Sequence, residues 1–455
     1  MDQNVLSSPD ALKRARTLAA MGVDEAAKAA YLEILRSDPT HFDALTELAA
    51  LAQASGHRSA ARSAFMQAAQ HHPRQPLGRV NLGNALADDG ECAAARAHYQ
   101  AALDVAPDYA PAHQGMARVL AEFGDPAEEH WRRGFMGHSV HKRRYRGAGV
   151  GVPLLLLGSA RGGNVVTQNW IDDRVFAVTA VYADFHDTAQ MLPEHRLVVN
   201  AIGDAELCGE ALERARVILA STSAPVINAP EAVLNTSRDA NAARLAGIEG
   251  VLAPVTERTT QAALRASWSL DFPLLLRTPG FHTGRHFLRV TDRDGLEAAL
   301  DCLPGGDVLA IEYLDARGMD GLWRKYRVMC IDGALYPLHL AISADWKVHY
   351  FTSAMADSPE HRAEERRFLE DMPGVLGAVA MQALAHIAAT MGLDYGGIDF
   401  ALTPDGRVMV FEANATMVIN AADCAPIWEY RRAPLAHAQM AARWMLLKRI
   451  GEVAR

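Results

Sequence analysis

The chain has 455 residues, half of them apolar, and a formal net charge of -9. That length exceeds one ordinary core, so two or more domains are expected, and the acidic balance argues against a nucleic-acid partner. The five cysteines, Cys92, Cys208, Cys302, Cys330 and Cys424, form no close pair, which argues against a disulfide framework or a zinc site and fits a reducing, cytoplasmic setting. The N-terminus shows no basic-then-apolar signal pattern. Apolar runs such as Val152 to Leu157 are far too short to cross a bilayer, so no membrane partner is expected.

The first third is periodic. Gly22, Gly56, Gly90 and Gly124 recur every 34 residues, as do Pro39, Pro73 and Pro107. Between each glycine and the next proline lies an Ala-rich helix with Ala26-Ala27, Ala60-Ala61 or Ala94-Ala95, followed by Tyr31, Phe65 or Tyr99. Small residues let paired helices approach, and the aromatic ring fills the space between them. The pattern resembles tetratricopeptide repeats, helix-turn-helix units of this length, over residues 1–140. The fourth unit frays after Gly124, where Glu128-Glu129 replace the alanine pair and Trp131 breaks the phase, as a capping repeat does. Such an array implies a protein or peptide partner on its concave face, or a brace for the next domain. The basic run from His141 to Arg146 reads as a linker or domain contact.

From about 150 to 232 strands and helices alternate, predicting an α/β layer. Strands are expected at 153–157, 175–183 and 197–200, and a helix over 205–219. The loop Gly158 to Asn164 comes after the first strand but lacks both the GxGxxG and the GxxxxGK[ST] phosphate forms. It turns the chain or touches substrate.

A new pattern begins near Thr236. The strand Pro273 to Arg277 ends in a cation and is joined by the glycine-bearing loop 278–286 to the strand Phe287 to Val290. This reads as a flap over phosphate or as a plain surface hairpin. A strand at 308–314 comes next, then Trp323 to Ile331, where Lys325 and Arg327 share one face of a period-two strand. His339 and His349 stand in no catalytic spacing and read as structural, and Glu364 to Arg367 as a solvated face. Helices are expected at 362–371, 375–391 and 436–448.

The most informative stretch is Gly397 to Met417. Gly397 to Leu402 carries one acid, Asp399, among apolar neighbours. Thr403 to Gly406 is a tight turn. The return strand ends in Glu412-Ala413-Asn414, whose two outer side chains share a face. Three oxygen ligands from adjacent strands suit a hard cation such as Mg2+. The basic strand 323–331 is expected to stand opposite these acids.

Together PLLLRTPGFHTGRHFLRV (273–290), IEYL (311–314), RKYRVMCIDG (324–333) and GIDFALTPDGRVMVFEANATM (397–417) resemble an ATP-grasp domain of the carboxylate–amine ligase type. The resemblance covers about 225–420, with the region 150–232 similar to the α/β domain that precedes it, and the repeat array fused outside it. It implies a multidomain chain: an all-α repeat solenoid, an α/β domain, then an α+β grasp fold with a small subdomain at 233–310 and a metal-bearing subdomain at 311–455. It further implies ATP and Mg2+ as cofactors, the metal held by Asp399, Glu412 and Asn414. Arg277 stands at the phosphate-binding cation of the central strand, and the loop with His282 and Gly284 closes over the phosphates. Glu312, Tyr313 and Leu314 line the adenine slot, Asp315 or Asp320 takes the ribose, and Lys325 and Arg327 neutralise phosphate and the developing acyl phosphate. The family commonly has lysines at the central-strand cation and at an earlier contact. Here Arg277 replaces one, and only Arg238, Arg244, Arg258 and Arg265 precede it, with Arg238 taken as the second nucleotide contact. An arginine adds a planar fork and is not a neutral exchange.

The chemistry implied is transfer of the γ-phosphoryl of ATP to a carboxylate, then displacement of phosphate by an amine or similar nucleophile. The acceptor, a small molecule or peptide, is not legible. Two other readings remain: a repeat-based interaction protein with a nucleotide-binding but inactive grasp domain, and a kinase that stops at a phosphorylated product.

Overall fold

The structure is a computed structural model and describes residues 8–267, 269–281 and 284–451. The chain divides into two compact units, Met1–Pro153 with Asp173–Met191, and Leu154–Asp172 with Leu192–Arg455.

The first unit opens with eight helices: α1 (Ser8–Ala20), α2 (Asp24–Ser37), α3 (Phe42–Ala54), α4 (Arg58–His71), α5 (Pro76–Asp88), α6 (Cys92–Val105), α7 (Ala110–Phe123) and α8 (Glu128–Phe135). Each packs on the next. Gly22, Gly56, Gly90 and Gly124 sit between the paired helices at φ +72, +82, +80 and +74, the left-handed region that glycine enters without steric cost. The expected close approach is present around Tyr99: a Cβ on Gly83 or Gly115 would lie 2.7 or 2.3 Å from that ring. In the last pair Trp131 and Phe135 are buried instead, which closes the stack. This is a helical-repeat solenoid that resembles a tetratricopeptide array. The unit does not stop at residue 140. β1 (Val140–Lys142) pairs antiparallel with β3 (Phe176–Tyr182), and Arg146 Nε lies 2.8 Å from Asp173 Oδ2, so the basic run is built into the fold.

The second unit is mixed α/β. β2 (Val152–Gly158), β4 (Leu197–Asn200) and β5 (Val226–Ile227) run parallel, with β4 central. α9 (Gly209–Leu219) begins later than expected because Asp204 Oδ1 accepts from the backbone N–H groups of Glu206 and Leu207 and ties that segment into a turn. After α10 (Pro230–Leu234), α11 (Arg238–Leu245) and β6 (Val251–Leu252), a small antiparallel sheet forms from β7 (Thr256–Thr260), β8 (Leu274–Arg277), β9 (Phe287–Val290) and β10 (Asp307–Glu312), in the order β7-β10-β8-β9. α12 (Gln261–Ala266) and α13 (Arg293–Cys302) belong to this lobe, whose core gathers Leu264, Leu274, Leu276, Leu296 and Val308.

The larger sheet has the order β12-β11-β13-β14-β6, built from β11 (Trp323–Ile331), β12 (Ala334–Ser343), β13 (Tyr395–Leu402) and β14 (Val408–Asn414). β6 joins it in parallel to β14, and β10 runs across residue 310, so the boundaries expected at 233–310 and 311–455 do not coincide with the sheets. The basic strand is not opposite the acidic hairpin. It pairs with β13, beside it in one sheet, because the backbone edge of β13 left open by β14 is where β11 completes its ladder.

α14 (Pro359–Glu370), α15 (Met372–Met391) and α16 (Glu429–Arg449) complete the lobe. By length and composition alone α15 is apolar enough to cross a membrane, a run longer than any expected from the sequence. Gly377 breaks it at φ +79 and ψ 168, and its buried side chains, Ala380, Leu384 and Ile387 among them, belong to a helix that packs on the large sheet.

Candidate functional site

A cavity of about 950 Å³ lies in the second unit between the two sheets. Its floor is set by strand register. His339 on β12 stands opposite Arg327 on β11, Arg327 opposite Asp399 on β13, and Asp399 opposite Glu412 on β14. Directly paired residues project to one face, so these four side chains form a row across four strands, roughly 14 Å at about 4.8 Å per strand. All four line the cavity. Irregularities of register fall beside the row, between Arg327 and Val328 and between Asp399 and Phe400. The unmatched residues there, Leu338 and Phe411, also line the cavity. Bulges of this kind re-aim side chains and cluster near functional sites.

The row is ionic. Arg327 donates to both Asp399 oxygens, Nε at 2.6 Å and Nη2 at 2.8 Å, and Lys325 Nζ lies 3.2 Å from Oδ2. Burial pushes the Asp399 carboxyl up, but the charges of Arg327 and Lys325 outweigh it and hold the group well below the usual carboxylate range. Glu412 is treated alike: burial raises it, and Arg238 and Arg277 more than offset this. Asn414 Nδ2 donates to Glu412 Oε1 at 2.8 Å, and Asn414 Oδ1 accepts from the N–H and hydroxyl of Thr416.

Arg238 bridges two acids. Nη1 donates to Glu206 Oε2 at 2.9 Å, and Nη2 makes a close contact with Glu412 Oε1. Glu206 also accepts from Gly280 N–H at 3.3 Å, which ties the start of the 278–286 loop to the same cluster. Arg277 is 8 % exposed and its Nη2 donates to the carbonyl of Phe281, while its Nε has no hydrogen-bond partner among the described residues. Burial and the neighbouring charge of Arg238 push its guanidinium down to about 10. A buried cation so poorly satisfied is costly unless an anion completes it.

Most of the candidate residues meet in this cavity. Arg238, Arg277, Gly284, Glu312, Tyr313, Leu314, Lys325, Arg327, Asp399 and Glu412 line it, and Asn414 touches Glu412. Glu312 Oε2 accepts from Val255 N–H at 3.0 Å, and Glu312 N–H donates to Val255 O, so that strand end is fixed from both sides. Asp315 and Asp320 do not line the cavity. Asp315 is held by Arg317 and Asp320 by Arg324, both of them local pairs. His282 lies outside the described residues. The 158–164 loop contributes Gly163 and Asn164, and the stretch after β12 contributes Trp346, His349 and Tyr350. His339, read as structural from sequence, lines the cavity with an Nδ1 unpartnered among the described residues, and burial drives its pKa far down.

Glu206, Trp428 and Arg431 are not marked by the sequence. Glu206 falls within a stretch expected to be helix, and nothing local points to it as a partner of Arg238, 32 residues on. Among the described residues no three His, Cys, Asp or Glu side chains gather closely enough to form a metal site by themselves. The set of two ionised carboxylates and an amide is chemically suited to a hard dication. Asp399 is wholly engaged by Arg327 and Lys325, whereas Glu412 Oε2 has no hydrogen bond among the described residues. A dication held by these three residues would have to take over contacts that the chain's own cations now make.

The fold defines a helical-repeat region followed by mixed α/β domains with a charged cavity between a small antiparallel sheet and a larger, mixed one. No protein family matches the chain, nor does any curated protein. Among solved structures, a crystal structure of MamA is 21% identical, over 27% of this chain and 72% of its own, with a TM-score of 0.25. MamA from Desulfovibrio magneticus is 20% identical over 28% of this chain and 74% of its own, at 0.26. TTC0263, a TPR protein of Thermus thermophilus, is 24% identical over 28% of this chain and 73% of its own, also at 0.26. Each covers under a third of the chain.

Proposed function

We propose that the second unit is an ATP- and Mg2+-dependent ligase of the ATP-grasp type, which activates a carboxylate as an acyl phosphate for attack by an amine or similar nucleophile. The observation that carries this is the row of paired charges across β12, β11, β13 and β14, facing a cavity that also holds the under-satisfied Arg277. Its cations are placed to take up the charge of a polyphosphate and of the phosphoryl group in transit. Glu312 and the Tyr313–Leu314 backbone form the edge against which a base would lie. Asp399, Glu412 and Asn414 would hold Mg2+, which supplies charge neutralisation on phosphate oxygens when bound. The carboxylate oxygen attacks the γ-phosphorus and ADP leaves. The amine then adds to the acyl carbon, inorganic phosphate leaves, and the surplus proton passes to solvent. Lys325 and Arg327 stabilise the negative charge at both stages. The proposed setting is the reducing cytoplasm.

The test is turnover of ATP with Mg2+ across a panel of carboxylates and amines. ADP and free phosphate are expected together, and Asp399→Asn and Glu412→Gln each lower the rate by about 100-fold or more. Undiminished turnover in both variants removes the metal assignment, and a phosphorylated product that accumulates makes the protein a kinase.

A second reading has its own support. Both Asp399 oxygens are already bound by Arg327 and Lys325, an arrangement that also suits a site that holds nucleotide without metal-dependent turnover. The chain would then act as an interaction protein, its repeat array taking a protein or peptide partner. Binding of AMP-PNP that is indifferent to Mg2+, with no turnover on any acceptor, decides for it.

A further inference from the structure

The cavity is also lined by a cation to which the ligase reading gives no role. Arg431, in the first turn of α16, lines it with a side chain only 12% exposed. Its guanidinium carbon lies 4.4 Å from the Tyr350 ring centroid and 5.8 Å from that of Trp428. Its Nε is 3.4 Å from Glu365 Oε1, too poorly aligned to make a hydrogen bond. Among the described residues the Arg431 side chain makes no hydrogen bond. A guanidinium carries five donors, and contact with the two rings takes up none of them as hydrogen bonds, which leaves them for an acceptor.

Its acidic neighbour is already committed. Glu365 is fully buried and accepts from Tyr430 Oη at 2.5 Å, Tyr350 Oη at 3.3 Å and Leu340 N–H at 3.3 Å. Burial pushes its carboxyl up, and three hydrogen bonds from other groups already take up its oxygens. His339, near Tyr350 at 4.7 Å between ring centroids, separates Arg431 from Arg327, the partner of His339 on the next strand.

Resting on the ligase reading, we propose that Arg431 holds a carboxylate of the acceptor other than the one consumed, so that the acceptor is a small dicarboxylate. One of its ends reaches the Arg327 and Lys325 side, where phosphoryl transfer occurs. The other lies beyond His339, at least one strand spacing further, roughly 5 Å or more. The planar, bidentate geometry of carboxylate matches the guanidinium edge, and the flanking rings shield that pair from water.

Calorimetric titration of the full chain with succinate, glutarate and adipate, without nucleotide, tests this. At least one binds saturably to the wild type, while butyrate binds at least 10-fold more weakly. Arg431→Met weakens the dicarboxylate at least 10-fold, and Arg431→Lys, which keeps the charge but loses the fork, does so nearly as much. Trp428→Leu, which leaves Arg431 and Glu365 in place, weakens it 3- to 10-fold and carries the test if the Arg431 variants fail to fold. AMP-PNP affinity stays unchanged in all three. No binding of any dicarboxylate, equal binding of butyrate, or inorganic phosphate binding that depends on Arg431 overturns the proposal. Dicarboxylate binding without any AMP-PNP binding in the wild type instead removes the ligase reading and leaves the Arg431 site standing.

Discussion

The repeat array and the cavity-bearing unit use charge in contrasting ways. In the array, surface arginines reach from one helix to the turn of the next repeat. Arg62 pairs with Glu91, and one repeat on Arg96 pairs with Asp125 at 2.9 Å, with side chains 49% and 44% exposed. In the cavity, Asp399 is 3% exposed beside Arg327 and Lys325, and Arg277 and Arg431 each have a buried Nε without a hydrogen-bond partner among the described residues. The first arrangement is cheap, solvated and complete within the chain. The second is costly and incomplete, the condition expected of a site that waits for a ligand. The same residue type therefore means different things in the two units, and burial with unmet donors tells them apart.

The contrast breaks most visibly at Asp399. Asp399→Asn leaves Arg327 and Lys325 buried without their counter-charge, and a loss of about 3–5 kcal/mol is expected, read from urea denaturation at pH 7. The pH sign agrees. A carboxyl depressed in the folded state contributes stability that is fully present above its unfolded value of about 3.9 and disappears as pH falls through the folded pKa. An unchanged urea midpoint for Asp399→Asn at neutral pH would show that the pair is not buried as described.

The array answers to packing instead. Gly115→Ala in a helix interior ordinarily gains up to about 1 kcal/mol. Here the added Cβ would meet the Tyr99 ring at 2.3 Å, and a loss of about 1–3 kcal/mol is expected from overpacking. Adding Tyr99→Leu to Gly115→Ala should restore part of it. A gain in stability from Gly115→Ala alone would mean that the ring does not occupy that gap.

These two sites also mark what the amino-acid sequence makes legible. The 34-residue glycine and proline spacing and the Tyr99 position carry the array, because each repeat is a local unit whose turns need left-handed glycine. The β13–β14 hairpin is legible for the same reason, its turn and alternation lying within a score of residues. The neighbour of β13 is not, since β11 is joined to it only by tertiary pairing. Arg238 meets Glu206 across 32 residues and Glu412 across 174, and no local pattern encodes either. Arg431 is hidden by a different cause. Pro434 suggests that the last helix begins after it, yet α16 starts at Glu429 and runs through Pro434, so the turn that holds Arg431 reads as loop.

His339 sharpens the comparison on a smaller scale. It is buried, its Nδ1 is unpartnered among the described residues, and burial followed by the Arg327 charge keeps it neutral. Below about pH 6.5 the unfolded chain takes a proton that the folded site refuses, so stability falls with falling pH by up to about 1.4 kcal/mol per pH unit. His98, His130 and His349 are shifted in the same direction, so the informative quantity is the difference between wild type and His339→Gln. Urea midpoints between pH 7 and 5.5 should converge for the pair as the wild type loses stability faster. Parallel curves would place His339 in contact with water.

The smallest effect is expected where the array's charges are most regular. A double-mutant cycle on Arg96 and Asp125 should give a coupling under about 1 kcal/mol, and 1 M NaCl should remove most of it, since the screening length there is about 3 Å. The equivalent cycle on Arg327 and Asp399 should keep its coupling in the same salt, because buried pairs are screened far less. If the Arg96 coupling proves as large and as salt-resistant as the Arg327 one, exposure is not what separates the two units. The unmet donors of Arg277 and Arg431 would then lose their standing as signs of a ligand. If the two cycles part as expected, the repeat bridges serve only to set helix against helix, and the ionic chemistry of the chain is confined to the cavity.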